Sequence, residues 1–314
     1  MKLAFILDPL DSLKAYKDSS VAMMRAAAAR GHEIWAIQRA ALTWRDACVA
    51  ARAQRLKVGA DNTAWCAVVE EAVLPLTAYD AVLMRQDPPF DFEYVAATWL
   101  LERAEAEGAR IWNKPRSIRD HSEKVAIAEF PQFIPTTLIA RDPADIHAFI
   151  DELGDVILKP LDGMGGSSIF RVLKDDPNRN VIVETLTNFG VRSIMAQRYL
   201  PAITQGDKRI LLIAGEPVPY CLARIPKPGE TRGNLATGGK GVARPLLGRD
   251  REIAETLGPI LWARGLLIVG LDVIGDCLTE INVTSPTCFA EIAQQTRFDA
   301  AAMLVDALER ECRA

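Results

Sequence analysis

Short apolar runs alternate along the chain with segments of helical spacing. Residues 3–7 (Leu-Ala-Phe-Ile-Leu) form an unbroken apolar run halted by Asp8-Pro9, the pattern of a strand buried on both faces. Residues 19–30 follow as a predicted helix, with Ser19 or Ser20 as its N-cap and Gly31 as its stop. A strand is predicted over 33–37. Residues 81–85, 93–107 and 110–113 then repeat a strand–helix–strand rhythm, which predicts a parallel sheet with crossover helices. Residues 40–77 show no clear period.

Beyond Pro115 the pattern changes. The polar stretch 113–122 is the expected domain boundary. After it, strands are predicted over 156–159, 167–172, 194–197, 209–213, 218–225, 266–274 and 278–283, and a helix over 300–310. Several of these strands are joined by short glycine-bearing links, which favours antiparallel hairpins. The expected fold class is an α/β domain over 1–122 followed by an α+β domain over 123–314.

Composition narrows the function. A chain of 314 residues supports two domains, and its net charge of −4 provides no global field for nucleic acid or an anionic membrane. No basic stripe interleaved with aromatics appears, so no nucleic-acid partner is expected. Residues 3–7 are too few for a signal peptide or a membrane span. Six scattered cysteines without a CxxC pair, and only three histidines, argue against structural zinc and fit reduced thiols in a cytoplasmic protein.

The strongest local signal is residues 157–168, Ile-Leu-Lys-Pro-Leu-Asp-Gly-Met-Gly-Gly-Ser-Ser. Gly163, Gly165 and Gly166 permit unusual backbone angles, and such a loop can turn successive N–H groups towards an anion. Lys159 ends the preceding strand, where an ammonium neutralises phosphate charge. Apolar residues resume at Ile169, so the loop joins two strands like a flap over a nucleotide. The bland alternative is a flexible hairpin turn. No GxxxxGK[ST], no GxGxxG after the first strand and no kinase motifs are present.

A second signal lies in 266–285, where Asp272, Glu280 and Asn282 interrupt two apolar strands. Glu280 and Asn282 share a face. A two-residue Gly275-Asp276 turn would pair Asp272 with Thr279 and turn Glu280 away. A three-residue Gly275-Asp276-Cys277 connection pairs Asp272 with Glu280 and Gly270 with Asn282, and this odd register is the one predicted. Two carboxylates 4 Å apart repel by about 4 kcal/mol at an effective dielectric of 20. A divalent cation removes that penalty, and an all-oxygen set suits Mg²⁺. A solvated acidic hairpin edge is the competing reading.

Cationic residues complete the picture. Asp207-Lys208-Arg209 begins one strand and Arg224 ends another. The intervening loop up to Gly241 carries Arg232, Asn234 and Lys240, and reads either as a water-excluding lid or as a surface excursion.

Together these runs resemble bacterial glutathione synthetases of the ATP-grasp superfamily. The resemblance also rests on Lys17-Asp18-Ser19-Ser20, on Met84-Arg85-Gln86-Asp87-Pro88-Pro89-Phe90-Asp91, on Asn113-Lys114-Pro115 and on Thr279-Glu280-Ile281-Asn282-Val283-Thr284-Ser285-Pro286. It covers nearly the whole chain. It implies a preATP-grasp α/β domain before an ATP-grasp domain whose two subdomains sandwich the nucleotide. It implies ATP-dependent ligation of γ-glutamylcysteine to glycine through an acyl phosphate, in a homotetramer.

By resemblance, Lys124 and Lys159 bind ATP phosphates beneath Gly163, Gly165 and Gly166. Gln197, Arg198, Tyr199 and Leu200 meet adenine, and Asp207 lies near ribose. Asp272, Glu280 and Asn282 hold Mg²⁺, with Mn²⁺ as a substitute, and Arg209 and Arg224 steady the acyl phosphate. Asp18, Ser19 and Arg85, with Asn282, Thr284 and Ser285, reach substrate. Arg232, Asn234, Gly238, Gly239 and Lys240 belong to the lid. Family members often carry Ala and Arg where this chain has Thr237 and Lys240; a lysine keeps the charge and loses the bidentate fork. Another ATP-grasp ligase and a non-catalytic nucleotide-binding regulator are the rival readings.

Overall fold

The fold, a computed structural model, describes residues 1–235 and 238–313. Ala236 and Thr237 of the long loop lie outside the described residues.

The chain begins with β1 (Lys2–Leu7), α1 (Ser19–Ala29), β2 (Glu33–Arg45), β3 (Cys48–Val58), β4 (Cys66–Pro75), β5 (Ala81–Met84), α2 (Phe92–Ala106), β6 (Ile111–Trp112) and α3 (Pro115–Asp120). The strands form one sheet in the order β4-β3-β2-β1-β5-β6. The four strands whose rhythm was legible run parallel. The stretch without a clear period is an antiparallel ribbon formed by the far half of β2 with β3 and β4. β4 is an edge strand with most of its residues exposed, so it shows no alternation of burial for a sequence pattern to follow.

Helix α1 is capped by Asp18, whose carboxylate accepts from Val21 N at 2.9 Å, and not by Ser19 or Ser20. Asp18 has the extended backbone of a cap, while both serines already lie inside the helix and are buried. The polar stretch 113–122 folds largely into α3, with Pro115 as its first residue.

A second sheet follows, built from β7 (Thr137–Ala140), β8 (Asp155–Pro160), β9 (Phe170–Leu173) and β10 (Ile194–Arg198) in the order β7-β10-β8-β9, all antiparallel. Helices α4 (Pro143–Leu153) and α5 (Arg179–Thr187) cover it through Ile146, Ile150 and Val183. The glycine loop links β8 to β9. The third sheet has the order β13-β12-β11-β14-β15, from β11 (Asp207–Ile213), β12 (Glu216–Ile225), β13 (Lys240–Pro245), β14 (Ile268–Ile274) and β15 (Cys277–Asn282). Helix α6 (Gly248–Ala263) packs on it through Ile253, Leu257 and Leu261.

Helices α7 (Phe289–Thr296) and α8 (Ala300–Arg313) return to the start of the chain. Phe289, Leu304 and Leu308 share one apolar core with Leu3, Phe5 and Leu83 of the first sheet and with Leu211 and Leu222 of the third. Asn113, buried at the end of β6, ties the same two sheets. Its amide nitrogen donates to the carbonyls of Ile268 and Val283, both at 2.8 Å, and its oxygen accepts from Ile268 N at 2.9 Å. Among the described residues no helix is long and apolar enough to cross a membrane.

Candidate active site

The site forms where the second and third sheets face each other. Lys159 is the next-to-last residue of β8, and its buried ammonium lies 3.4 Å from both the Thr279 carbonyl and a Glu280 carboxylate oxygen. Lys124 sits 3.6 Å from that oxygen and donates to the Gly163 carbonyl at 2.6 Å. Burial lowers the pKa of Lys159, with Lys124 adding repulsion and Glu280 countering both. Burial opposes ionisation of Glu280, yet the two lysines outweigh it and hold the carboxyl below its ordinary value.

A second charge group adjoins the first. Arg209 of β11 donates twice to Asp272, at 2.5 and 3.1 Å. Arg224 of β12 lies 2.9 Å from Asp272 and 2.5 Å from Asp207. Burial again opposes the Asp272 charge, and the two guanidinium groups override it, keeping this carboxyl well below the usual range. Asp207 goes the other way. Its Oδ1 is buried without a partner, and burial with nearby Asp272 and Glu280 outweighs Arg224, raising its pKa to about 6. Four cations therefore face three carboxylates, and all but Glu280 are buried. The surplus positive charge and the enclosure suit a polyanion such as a nucleotide's phosphate chain.

The hairpin register corrects one expectation. Asp272 does pair with Glu280, and Gly270 with Asn282. The connection is nevertheless the two-residue Gly275-Asp276 turn, closed by Ile274 opposite Cys277. The odd count comes from a bulge at Thr279, between the pairs Val273–Leu278 and Asp272–Glu280. Gly275 takes φ +57°, which suits the tight turn.

This donor set fits a divalent cation. Asp272 and Glu280 stand opposite each other, and Asn282 commits its amide nitrogen to Gly270 O at 3.2 Å, which leaves its oxygen as the ligating atom. Among the described residues no three His, Cys, Asp or Glu side chains are arranged to hold a metal by themselves. The cation thus needs the amide oxygen and phosphate oxygens as well.

The glycine loop and the long loop meet over this floor. Arg232 donates to Gly166 O at 3.2 Å and is itself gripped by Glu230, whose pKa is drawn down to about 2 chiefly by that bond. A Cβ on Gly166 would lie 2.6 Å from the Asn234 amide oxygen, and φ there is +83°, so only glycine suits the position. Ser168 also takes a left-handed backbone, which the glycine pattern did not indicate. Gly238 has φ +88°, and a Cβ on Gly239 would lie 2.4 Å from Gly233 O. Lys240 is the first residue of β13, paired with Ile225, so it stands at the base of the loop.

Gln197, Arg198, Tyr199 and Leu200 line the cavity beyond Lys159, together with Ile157, Ile169, Ile203 and Ile274, an apolar wall that sequence reasoning missed. Arg171 stacks 3.7 Å over the Tyr199 ring.

A separate small pocket lies at the first sheet. Arg85 is buried there, donating to Ser20 Oγ at 3.2 Å and to Pro286 O at 2.9 Å, while its Nη1 has no partner. Asp18, Ser19 and Asp87 line the same pocket, and Ser285 hydrogen-bonds Asp87. Thr284 is held by Glu123, whose carboxylate accepts from Val283 N, Thr284 N and Thr284 Oγ at 3.1, 3.3 and 2.9 Å. Neither Glu123 nor Asn113 was singled out for a role in holding the site, because each acts on strands far away in the sequence and no local pattern marks it.

Solved structures with this architecture include ATP-grasp ligases. D-cycloserine synthetase DcsG superposes with a TM-score of 0.69 at 14% identity, covering 99% of each chain. The ATP-grasp ligase PsnB complexed with minimal precursor, Mg and ADP does so at 0.63 and 17% identity, covering 99% of this chain and 98% of that one. The fold is that of an ATP-grasp ligase. Sequence then narrows the class. A family model described as "Prokaryotic glutathione synthetase, N-terminal domain" matches residues 1–119, and "Prokaryotic glutathione synthetase, ATP-grasp domain" matches 123–297. The glutathione synthetase of Ralstonia nicotianae is 58% identical over 310 residues, covering 99% of this chain and 96% of that protein. That of Nitrosomonas europaea is 59% identical over 315 residues, covering 99% and 98%. The chain belongs to the prokaryotic glutathione synthetase family, and is a ligase that forms a C–N bond.

Proposed function

We propose that the chain joins γ-glutamylcysteine to glycine at the expense of ATP, using the residues gathered between the second and third sheets. The observation that carries this assignment is the buried cluster of Lys124, Lys159, Arg209 and Arg224 around Asp207, Asp272 and Glu280. Base and ribose take the cavity from Ile157 to Asp207. Lys124, Lys159 and the amides of the glycine loop take the phosphates. Asp272, Glu280 and Asn282 would hold Mg²⁺, and an oxygen set of this kind also admits Mn²⁺. The ion supplies charge neutralisation on the phosphate oxygens. Arg85, with its unpaired nitrogen, and Asp18 and Ser19 take the γ-glutamyl end of the peptide.

The peptide carboxylate attacks the γ-phosphorus; the new O–P bond forms as the bond to ADP breaks. Lys124 and Lys159 offset the phosphate charge, and Arg209 and Arg224 offset that of the resulting acyl phosphate. The glycine amine then attacks the acyl carbon, the C–N bond forms, and phosphate leaves. Arg232 and Asn234 close over Gly166 and exclude water from the acyl phosphate. Residues 1–122 would carry the peptide end and 123–314 the nucleotide chemistry. Six free cysteines suit a reducing cytoplasm. Exposed Val68, Val69 and Val73 on edge strand β4 support assembly into a homo-oligomer, a tetramer by family resemblance; a monomer by light scattering would oppose it.

The test is ADP release with ATP, Mg²⁺, γ-glutamylcysteine and glycine, omitting one at a time. Release that needs both amino substrates and yields glutathione is expected. Free replacement of glycine would keep the ligase and sink the assignment of its product.

A further inference from the structure

We infer that Thr137 sets which purine the nucleotide cavity accepts, by fixing the orientation of the Gln197 amide so that it favours a 6-amino base over a 6-oxo one. The inference rests on the nucleotide cavity of the function proposed above and deepens it. The cavity wall includes Gln197 and not Thr137, so Thr137 is a positioning residue that acts through the amide.

The cross-strand register places both residues. On the second sheet Val156, Leu158, Ile194 and Ala196 share one core with α4 and α5. The residues between them therefore face the third sheet. Thr137 of β7, Gln197 of β10 and Ile157 of β8 stand side by side in one row across that face, and Ile139, Met195 and Lys159 form the next row. Rows two residues apart along a strand are separated by about 7 Å. The Lys159 row belongs to the phosphates, so the Gln197 row meets the base. The charged side chains of the cavity are committed: Lys159, Asp207, Asp272 and Glu280 to the charge cluster, and Arg232 to Glu230. Arg198 falls on the opposite face of β10. In the row of the base, Gln197 supplies the hydrogen-bonding group that faces the cavity.

An amide keeps nearly the same shape when it turns by 180° and exchanges its oxygen for its nitrogen, so a neighbour must set its orientation. Here a relay of two bonds sets it. The Thr137 hydroxyl donates its hydrogen to Pro135 O at 2.8 Å. A carbonyl has no hydrogen to give, so this direction is forced. Thr137 Oγ1 can then only accept, and it accepts from Gln197 Nε2 at 3.0 Å. Turning the amide would set Gln197 Oε1 against a lone pair of the hydroxyl. Among the described residues nothing donates to Oε1, so the oxygen is what this buried side chain offers the cavity. An acceptor at that place bonds the 6-amino group of adenine. It meets the 6-oxygen of guanine or hypoxanthine acceptor to acceptor, which leaves both groups unpaired.

Calorimetry on the full-length protein with Mg²⁺ tests this through Kd for ADP, inosine diphosphate and purine riboside diphosphate, whose bases carry an amine, an oxygen and a hydrogen at position 6. The parent should bind ADP about tenfold or more tightly than inosine diphosphate. Thr137→Val keeps the shape of the side chain and removes the hydroxyl, so the amide is free to turn. The preference should fall to about threefold or less, with purine riboside diphosphate bound within about twofold of its parent Kd. Thr137→Ser returns the hydroxyl and should restore the preference. A loss common to all three nucleotides, or a parent that binds inosine diphosphate as well as ADP, overturns the inference. Glutathione formation from ATP is assayed alongside. A protein that shows the base preference and makes no glutathione overturns the reaction proposed above and supports this inference; one that binds none of the nucleotides overturns both.

Discussion

Asp207→Asn removes a charge that the fold holds against its preference. In the parent, Oδ2 accepts from Arg224, Oδ1 has no partner, and the pKa stands near 6 against an ordinary 3.8. The sign follows from linkage. A folded-state pKa above the unfolded value means that the folded state binds the proton more tightly, so this contribution is full below about pH 4 and is lost as pH rises through 6. For one group moved from 3.8 to about 6, the loss between pH 5 and pH 8 is on the order of 1 kcal/mol. Asparagine has no such proton to lose. The difference in unfolding free energy, variant minus parent, should therefore shift in the variant's favour by on the order of 1 kcal/mol over that range. Any fixed offset from the altered bond to Arg224 cancels in the comparison. Urea unfolding of the ligand-free protein at pH 5, 6, 7 and 8 measures it, with constant m-values as the control. Nucleotide is left out because it stabilises by mass action. A difference that stays flat with pH refutes the raised pKa and the reasoning from burial behind it.

Two further outcomes follow from the same geometry. Glu123→Ala strips an acceptor from two backbone N–H groups and one hydroxyl, at about 1–3 kcal/mol for each group left buried, so a stability loss of about 3 kcal/mol is expected in urea unfolding, with Glu123→Gln recovering much of it. A loss below about 0.5 kcal/mol would show that the 283–284 segment does not depend on this carboxylate. Glu280→Gln should cut turnover by about 100-fold or more with far-UV circular dichroism unchanged, since it weakens the proposed metal site and removes the charged partner of both lysines; unchanged Mg²⁺-dependent kinetics would sink the metal assignment.

Much of this site was legible because its chemistry sits at strand ends. Lys159, Asp207 and Arg224 each close or open an apolar run, so their approximate positions followed from the boundaries of hydrophobicity. The glycines of 163–166 marked a backbone need. What sequence could not provide depended on the tertiary fold. The cap of α1 fell to Asp18 because the next two residues were drawn into the helix. The Thr279 bulge leaves no compositional trace, and the right carboxylate pairing was expected from the wrong turn. Edge strand β4 was illegible because most of its residues are exposed and it has no buried period, while β3 does alternate, burying Val49, Ala51 and Ala53, two of them small alanines that give a weak apolar signal. Helices α4 to α7 passed unnoticed between strands whose apolar runs were easier to see. Asn113 and Glu123 were invisible as clamps because the strands they hold are more than 150 residues away.

The bulge at Thr279 also changes what kind of atom anchors the buried Lys159 ammonium. A residue left over by the ladder has a carbonyl to spare, and this one is turned to the Lys159 ammonium. The anchor is thus main chain, identical in all twenty residue types. A point substitution at 279 can take away the hydroxyl that bonds Asp272 O, but it cannot take away the carbonyl. Only a change in the number of residues between Cys277 and Glu280 can do that. One contact of the buried charge cluster is written in the length of the chain and is immune to its spelling.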